Sequence, residues 1–208
     1  MSKKEVPLMQ LADYLPNGSY EYVADYLHQY KVHLTIAKSR SSILGDYRHK
    51  ADTKNHRISV NGNLNKYAFL ITLLHELAHL LTFEQFGRRV QAHGKEWKSI
   101  YSNMLAIFLQ KKLFPADIEA ELLKTLRAPG ASTCSETGLQ RVLYKYDDSK
   151  AGFTLVENVP EGHIFTTTDG RQFVKGIKRR TRHICKELTT GRSFLFSGVY
   201  EVKTEQGF

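Results

Sequence analysis

Leu73-Leu74-His75-Glu76-Leu77-Ala78-His79-Leu80-Leu81 is an HExxH sequence set inside a long apolar run. On an α-helix, positions four apart share a face, so His75 and His79 can aim their imidazoles at one metal ion. Glu76, turned by about 100°, can reach a water held on that ion. The pairing suits a single zinc ion, which takes imidazole ligands and keeps a catalytic position open when the protein supplies three. Helical-wheel arithmetic puts Leu70, Leu73, Leu74, Leu77, Leu80 and Leu81 opposite the histidines and Ala68, Thr72 and Thr82 beside them. The expectation is a helix with a leucine back in a core and a front kept clear by small residues.

Around the motif the chain reads as α+β. A short helical piece over 8–15 ends at Pro16-Asn17-Gly18, and Ser19 is placed to cap a helix over 20–30. Val32, Leu34 and Ile36 alternate with polar residues as in a half-buried strand. Residues 43–47 and 57–60 are further short strands, the last closed by Asn61-Gly62. The strand at 57–60 could offer an edge on which an extended peptide adds. The motif helix is expected over 64–86 with Gly87 as its C-terminal cap, followed by helices beginning near Trp97 and at Pro115. These pieces make one domain over 1–128, a linker over 129–138, and a module over 139–208. Stretches 139–146, 152–159, 163–168, 171–177 and 192–203 of that module are rich in β-branched and aromatic residues, which predicts a small antiparallel sheet.

A catalytic zinc needs a third protein ligand. The compact HExxHxxGxxH form is absent, because Gln85 stands where its last histidine would fall. His93, past the Gly87 turn and beside Gly94, is preferred on ligand softness and loop position, with Glu96 as the competitor. With three histidines in place, Glu76 would take a proton from zinc-bound water as it attacks a carbonyl, then pass it to the leaving nitrogen. No second group to stabilise the oxyanion stands out. Tyr101, one turn along the next helix, reads better as core.

Composition narrows the partners. The 208 residues are 41% hydrophobic and 11% aromatic, an ordinary globular balance, and carry a formal charge of +9 that favours polyanions. Cys134 and Cys185 form no CxxC pair and are expected as free thiols. Met1-Ser2-Lys3-Lys4 opens no apolar leader, and the longest apolar stretch is interrupted by His75, Glu76 and His79, so a cytoplasmic protein with no membrane partner is expected. Arg171, Lys175, Lys178, Arg179, Arg180 and Arg182 gather in the β-rich module with Phe173, Phe194 and Phe196 nearby. Basic side chains interleaved with aromatics are what low-specificity DNA or RNA binding uses, through phosphate pairing and base stacking.

HELAHLLTF followed by His93-Gly94-Lys95-Glu96-Trp97 resembles the SprT-like metalloprotease family, whose downstream HGxx(F/W) histidine is the third zinc ligand. The resemblance covers about residues 10–110. It implies a zincin-like fold, His75, His79 and His93 as zinc ligands, Glu76 as the catalytic residue, and a protein or peptide substrate. It also implies kinship with Spartan-type proteases, which degrade proteins crosslinked to DNA. Many members carry a four-cysteine zinc ribbon near the C-terminus. Here Tyr144-Lys145-Tyr146 and Phe194–Val199 stand roughly where its cysteine pairs would be, so packing is expected to hold the module. Two other readings stay open. One is a nucleic-acid-binding protein with a structural or silent zinc site, against which the intact Glu76 speaks. The other is a zinc hydrolase of a non-protein amide.

Overall fold

The computed structural model describes residues 8–40, 42–52, 54–126, 130, 134, 136–148 and 152–204. The chain divides into two compact units, Met1–Asp147 and Asp148–Phe208.

In the first unit a 3-10 turn, Leu8–Tyr14, precedes helix α1, Tyr20–Gln29. Ser19 does stand before α1, but its hydroxyl donates to Pro16 O at 2.7 Å and caps no first-turn amide. Strands β1, His33–Ala37, β2, Gly45–Arg48, and β3, Arg57–Asn61, follow. They form one sheet in the order β1-β3-β2, with β1 parallel and β2 antiparallel to β3. The strand expected to offer an edge is therefore the central one. The edge beside the motif helix belongs to β2.

Helix α2, Lys66–Phe86, carries the HExxH stretch. Asn65 starts it: its Oδ1 accepts from the amides of Tyr67 and Ala68 at 3.1 and 2.9 Å, satisfying two donors that no helical carbonyl can reach. The same side chain donates through Nδ2 to Leu143 O and to Asp147 Oδ1. Gly87 ends the helix at φ 62°, a region glycine enters without steric cost. Burial departs from the expected two-sided helix. Phe69, Leu70, Ile71, Leu73, Leu74 and Leu77 are fully buried, and Ala68, Thr72 and Thr82 on the histidine side are buried as well. The small residues therefore let neighbouring elements approach that side and do not keep it open.

Helices α3, Lys95–Gln110, and α4, Ala116–Thr125, the latter directly after Pro115, complete the shell. Trp97, Met104, Leu105 and Phe108 of α3 join the same core as α2. Half of the expected linker, residues 129, 131–133 and 135, falls outside the described residues. Residues 139–146, expected as a strand, instead lie mainly in helix α5, Thr137–Tyr144, which buries Leu139 and Leu143 four apart in the first unit's core. Tyr146 packs on Tyr67 and donates to Asp117 at 2.8 Å, so it belongs to the first unit and not to the β-rich module. The helical leucine spacing outweighed the β propensity of Val142, Tyr144 and Tyr146.

The second unit is a six-stranded sheet. Its strands are β4, Phe153–Leu155, β5, Ile164–Thr166, β6, Gln172–Arg179, β7, Arg182–Glu187, β8, Ser193–Ser197, and β9, Glu201–Lys203. Their order is β4-β9-β5-β6-β7-β8. Strand β7 was hidden in the sequence by its charge, although His183, Cys185 and Glu187 alternate inward. Phe165 and Phe173 are fully buried against Val156, Val159, Cys185 and Val202, with Phe194 and Phe196 packed on them. Among the described residues no helix is long and apolar enough to cross a membrane.

Replacing Asn65 by alanine should cost roughly 1–2 kcal/mol, the usual range for a lost N-cap. Urea unfolding should show a lower midpoint at unchanged slope. An unchanged midpoint would mean that α2 does not depend on this cap.

Candidate metal centre

Helix α2 presents His75, Glu76 and His79 from consecutive turns, and the loop before α3 brings His93 to them. One nitrogen from each of His75, His79 and His93 lies within 4.8 Å of the others, and this is the only such His/Cys/Asp/Glu group found among the described residues. His75 Nε2 and His93 Nε2 are 3.1 Å apart. Tetrahedral zinc with bonds of about 2.0–2.1 Å would set its ligand nitrogens roughly 3.3 Å apart. The donor set therefore fits zinc in type and number, and the His75–His93 pair fits it in spacing. The competitor Glu96 is not part of the cluster. It sits in the first turn of α3, with Lys95 Nζ 3.9 Å away.

His93 reaches the site in an unusual backbone conformation, φ 58°, which is sparsely populated by residues other than glycine. Gly94 has an ordinary φ but a tight fit: a β-carbon there would come within 3.0 Å of Gln91 O. The histidine takes the left-handed turn, and the glycine lets the loop close on itself.

Burial sets the protonation of the cluster. His75 is pushed down to about 3, first by burial and then by His79 and His93. His79 is pushed down to about 4 by burial and by His93. His93 is lowered by burial and by Lys98. All three are thus neutral near pH 7, the form in which imidazole binds metal. Glu76 moves the other way, up to about 8, mainly through burial and then through Asp46, with Arg40 opposing.

Sequence reasoning missed the residues that shape this environment. A β-carbon on Gly45 of β2 would come within 2.5 Å of Glu76 Oε1 and 2.8 Å of Thr72 Cγ2, so only glycine lets the edge strand lie this close to the carboxylate. Trp97, fully buried, packs its ring 4.7, 5.2 and 4.6 Å from the rings of His75, His79 and His93. The tryptophan was visible in the HGxx(F/W) pattern, but no sequence signal tied Gly45 to Glu76. Tyr101 stacks behind Trp97 at 4.9 Å and is a core residue.

Tyr47 of β2 lies parallel to the His79 ring, with centroids 6.4 Å apart. Its hydroxyl is 2.8 Å from His56 Nδ1, and His56 Nε2 is 3.1 Å from Glu84 Oε1. Glu84 is held below the usual carboxylate range, first by its hydrogen bond to Lys50. As an anion it accepts from His56 Nε2–H, which leaves Nδ1 to accept from the Tyr47 hydroxyl. The chain of bonds fixes the Tyr47 ring beside the cluster.

The basic residues of the second unit do not act alike. Lys175 is buried, and its ammonium donates to the carbonyls of Glu157 and Val159, so it is a structural residue and not a phosphate contact. Arg171 pairs with Asp169 at 2.8 Å and lies over Phe173 and Phe194. Phe173 is buried in the core, and Phe194 and Phe196 pack on it half-buried with centroids 5.5 and 4.9 Å away, so Phe173 is not available to stack on a base. Lys178, Arg179, Arg180 and Arg182 are exposed around the β6–β7 turn. Arg180 takes φ 58° at its tip.

A mixed α+β unit with three convergent histidines is the class of protein defined so far. The SprT-like family model matches residues 16–119, half of the chain, and the chain belongs to that family. Among curated proteins, Protein SprT of Glaesserella parasuis serovar 5 is 58% identical over 33 residues, covering 16% of this chain and 20% of that protein. Protein SprT of Escherichia coli K12 is 50% identical over 44 residues, 21% of this chain and 26% of that protein. Protein SprT of Klebsiella pneumoniae strain 342 is 58% identical over 33 residues, 16% and 19% of the two chains. The matched stretches thus span only about a fifth to a quarter of those relatives. No solved structure matches the chain.

The shifted groups set how the metal-free protein responds to pH. His75 and His79 have folded values below the ordinary 6.5, so the unfolded chain binds more protons and stability falls as pH drops from about 6.5 towards 4. Glu76, raised from 4.5, works oppositely and withdraws stability as pH rises towards about 8. Thermal melts of metal-free protein should peak at about pH 6–7, and His75→Gln should weaken the acid-side loss. An acid limb that His75→Gln leaves unchanged would contradict this account.

Proposed function

We propose that this chain is a zinc-dependent metallopeptidase of the zincin-like type, acting on protein substrates. The observation that carries the reading is the convergence of three neutral imidazoles beside a buried glutamate on the same helix. His75, His79 and His93 would hold the ion. A bound zinc supplies Lewis acidity towards water and towards a peptide carbonyl.

The remaining steps fall to the chain's own groups. Glu76 takes a proton from the attacking water and delivers it to the leaving nitrogen. Burial raises the proton affinity of its carboxylate in the metal-free chain, and a cation held beside it would favour the ionised form that accepts the proton. The free edge of β2, held against Glu76 at Gly45, offers backbone groups on which an extended peptide can pair as an added strand. Trp97 excludes water from behind the imidazoles and fixes their orientation.

The second unit supports a recruiting role. The exposed cations Lys178, Arg179, Arg180 and Arg182 can pair with phosphates without reading bases, which suits proteins bound or crosslinked to DNA as substrates.

Glu76→Gln should retain one zinc per chain and lose peptide cleavage by at least about 10²–10⁴-fold, the usual contribution of a general base. Undiminished cleavage in that variant would sink the mechanism. Binding to single- and double-stranded DNA should weaken steeply with salt and show no sequence preference. Replacing Lys178, Arg179, Arg180 and Arg182 together by serine should flatten the salt dependence. No binding by the wild-type protein at low salt would reject the recruiting role.

A further inference from the structure

Beside His79 the first unit contains a cavity of about 270 Å³, and Glu76 is not among its lining residues. It shares His79 and Trp97 with the metal centre. Tyr47 forms one wall, Phe83 with the stacked His49 another, and Val90 of the loop leading to His93 lies opposite. Among the described lining residues the one permanent charge, Arg88, is paired with Asp52. The cavity is smaller than the roughly 300–1,000 Å³ that encloses a drug-sized ligand, so it suits one side chain and not a multi-ring cofactor.

The edge strand shows how a side chain would arrive there. Along β2, Gly45 lies against Glu76 and Tyr47 lies against His79, so the strand runs from the general base towards the cavity. A peptide paired on that edge advances roughly 3.3 Å per residue and turns alternate side chains the same way. A residue close to the scissile bond therefore meets the Tyr47 wall. The wall is rigid, because Tyr47 is tied through His56 to Glu84 on α2.

We propose that this cavity is a specificity pocket that selects a large apolar or aromatic residue flanking the cleaved bond, with Tyr47, Phe83 and Val90 as its determinants. The proposal deepens the peptidase reading and rests on it for the position of the bond. The walls of Tyr47, Phe83 and Val90 favour an apolar side chain over a charged one, which would give up hydration on them. Phenylalanine or leucine gains burial there.

The test uses full-length, zinc-loaded protein and quenched peptides that share one sequence but vary phenylalanine, leucine, alanine, aspartate or lysine on either side of the cleaved bond. The phenylalanine and leucine peptides should exceed alanine by at least about tenfold in kcat/KM, the scale at which apolar pockets discriminate. A parallel arm measures binding of the same peptides to zinc-loaded Glu76→Gln protein by fluorescence anisotropy, and the same order should hold. Val90→Trp, which fills the cavity from the loop, should reduce the phenylalanine-to-alanine ratio to about threefold or less in both arms. Thr82→Leu, which fills it from the helix, should do the same, and zinc content reports that each variant is folded. Equal cleavage and equal binding across the peptides would overturn the pocket, as would a preference that survives both fillings in zinc-binding protein. Selective binding without any cleavage by the wild type would remove the peptidase reading and leave the pocket standing.

Discussion

The first unit depends on a helix that is buried along most of its length yet carries ionisable side chains in the middle of that burial. α2 sits in the core with Leu70, Leu74 and Leu77 fully enclosed, and His75 and Glu76 are enclosed almost as well. Burying a charge without a partner is costly, so each of these groups moves towards its neutral form. The histidines become weaker bases and stay neutral, the form in which imidazole can bind a metal. The glutamate becomes a stronger base. The packing that stabilises the helix thus also prepares its chemistry.

That arrangement requires close neighbours on the histidine side, and each comes from a different part of the chain. Gly45 lets the edge strand touch the glutamate, Trp97 backs the imidazoles, and His93 arrives in a strained left-handed conformation. Backbone strain of this kind persists where the surroundings over-determine it, and such positions cluster at functional sites. Asn65 holds the start of α2 and also binds the end of α5, so the helix is braced at the end remote from the cluster.

The second unit has its own logic. A cluster of phenylalanines builds its small core, and one lysine is drawn inside to satisfy two backbone carbonyls. The remaining cations are left at the surface around one hairpin turn. Charge counted along the chain therefore overstates the cations available to a polyanion, because Lys175 and Arg171 are already engaged.

Periodicity and spacing in the sequence predicted an HExxH helix over about 64–86 that ends at Gly87, and singled out His93 beside Gly94 as the preferred third ligand. These are local properties, set by a 3.6-residue repeat, cap chemistry and ligand type. Tertiary structure alone decided the rest. It made β3 central and β2 the edge, brought Gly45 against Glu76, and closed the Tyr47–His56–Glu84 chain, all by contacts between residues far apart in sequence. It also turned 137–144 into a helix and drew Lys175 inward. β-propensity and charge are one-dimensional averages, whereas the direction a side chain faces is set by the elements packed around it.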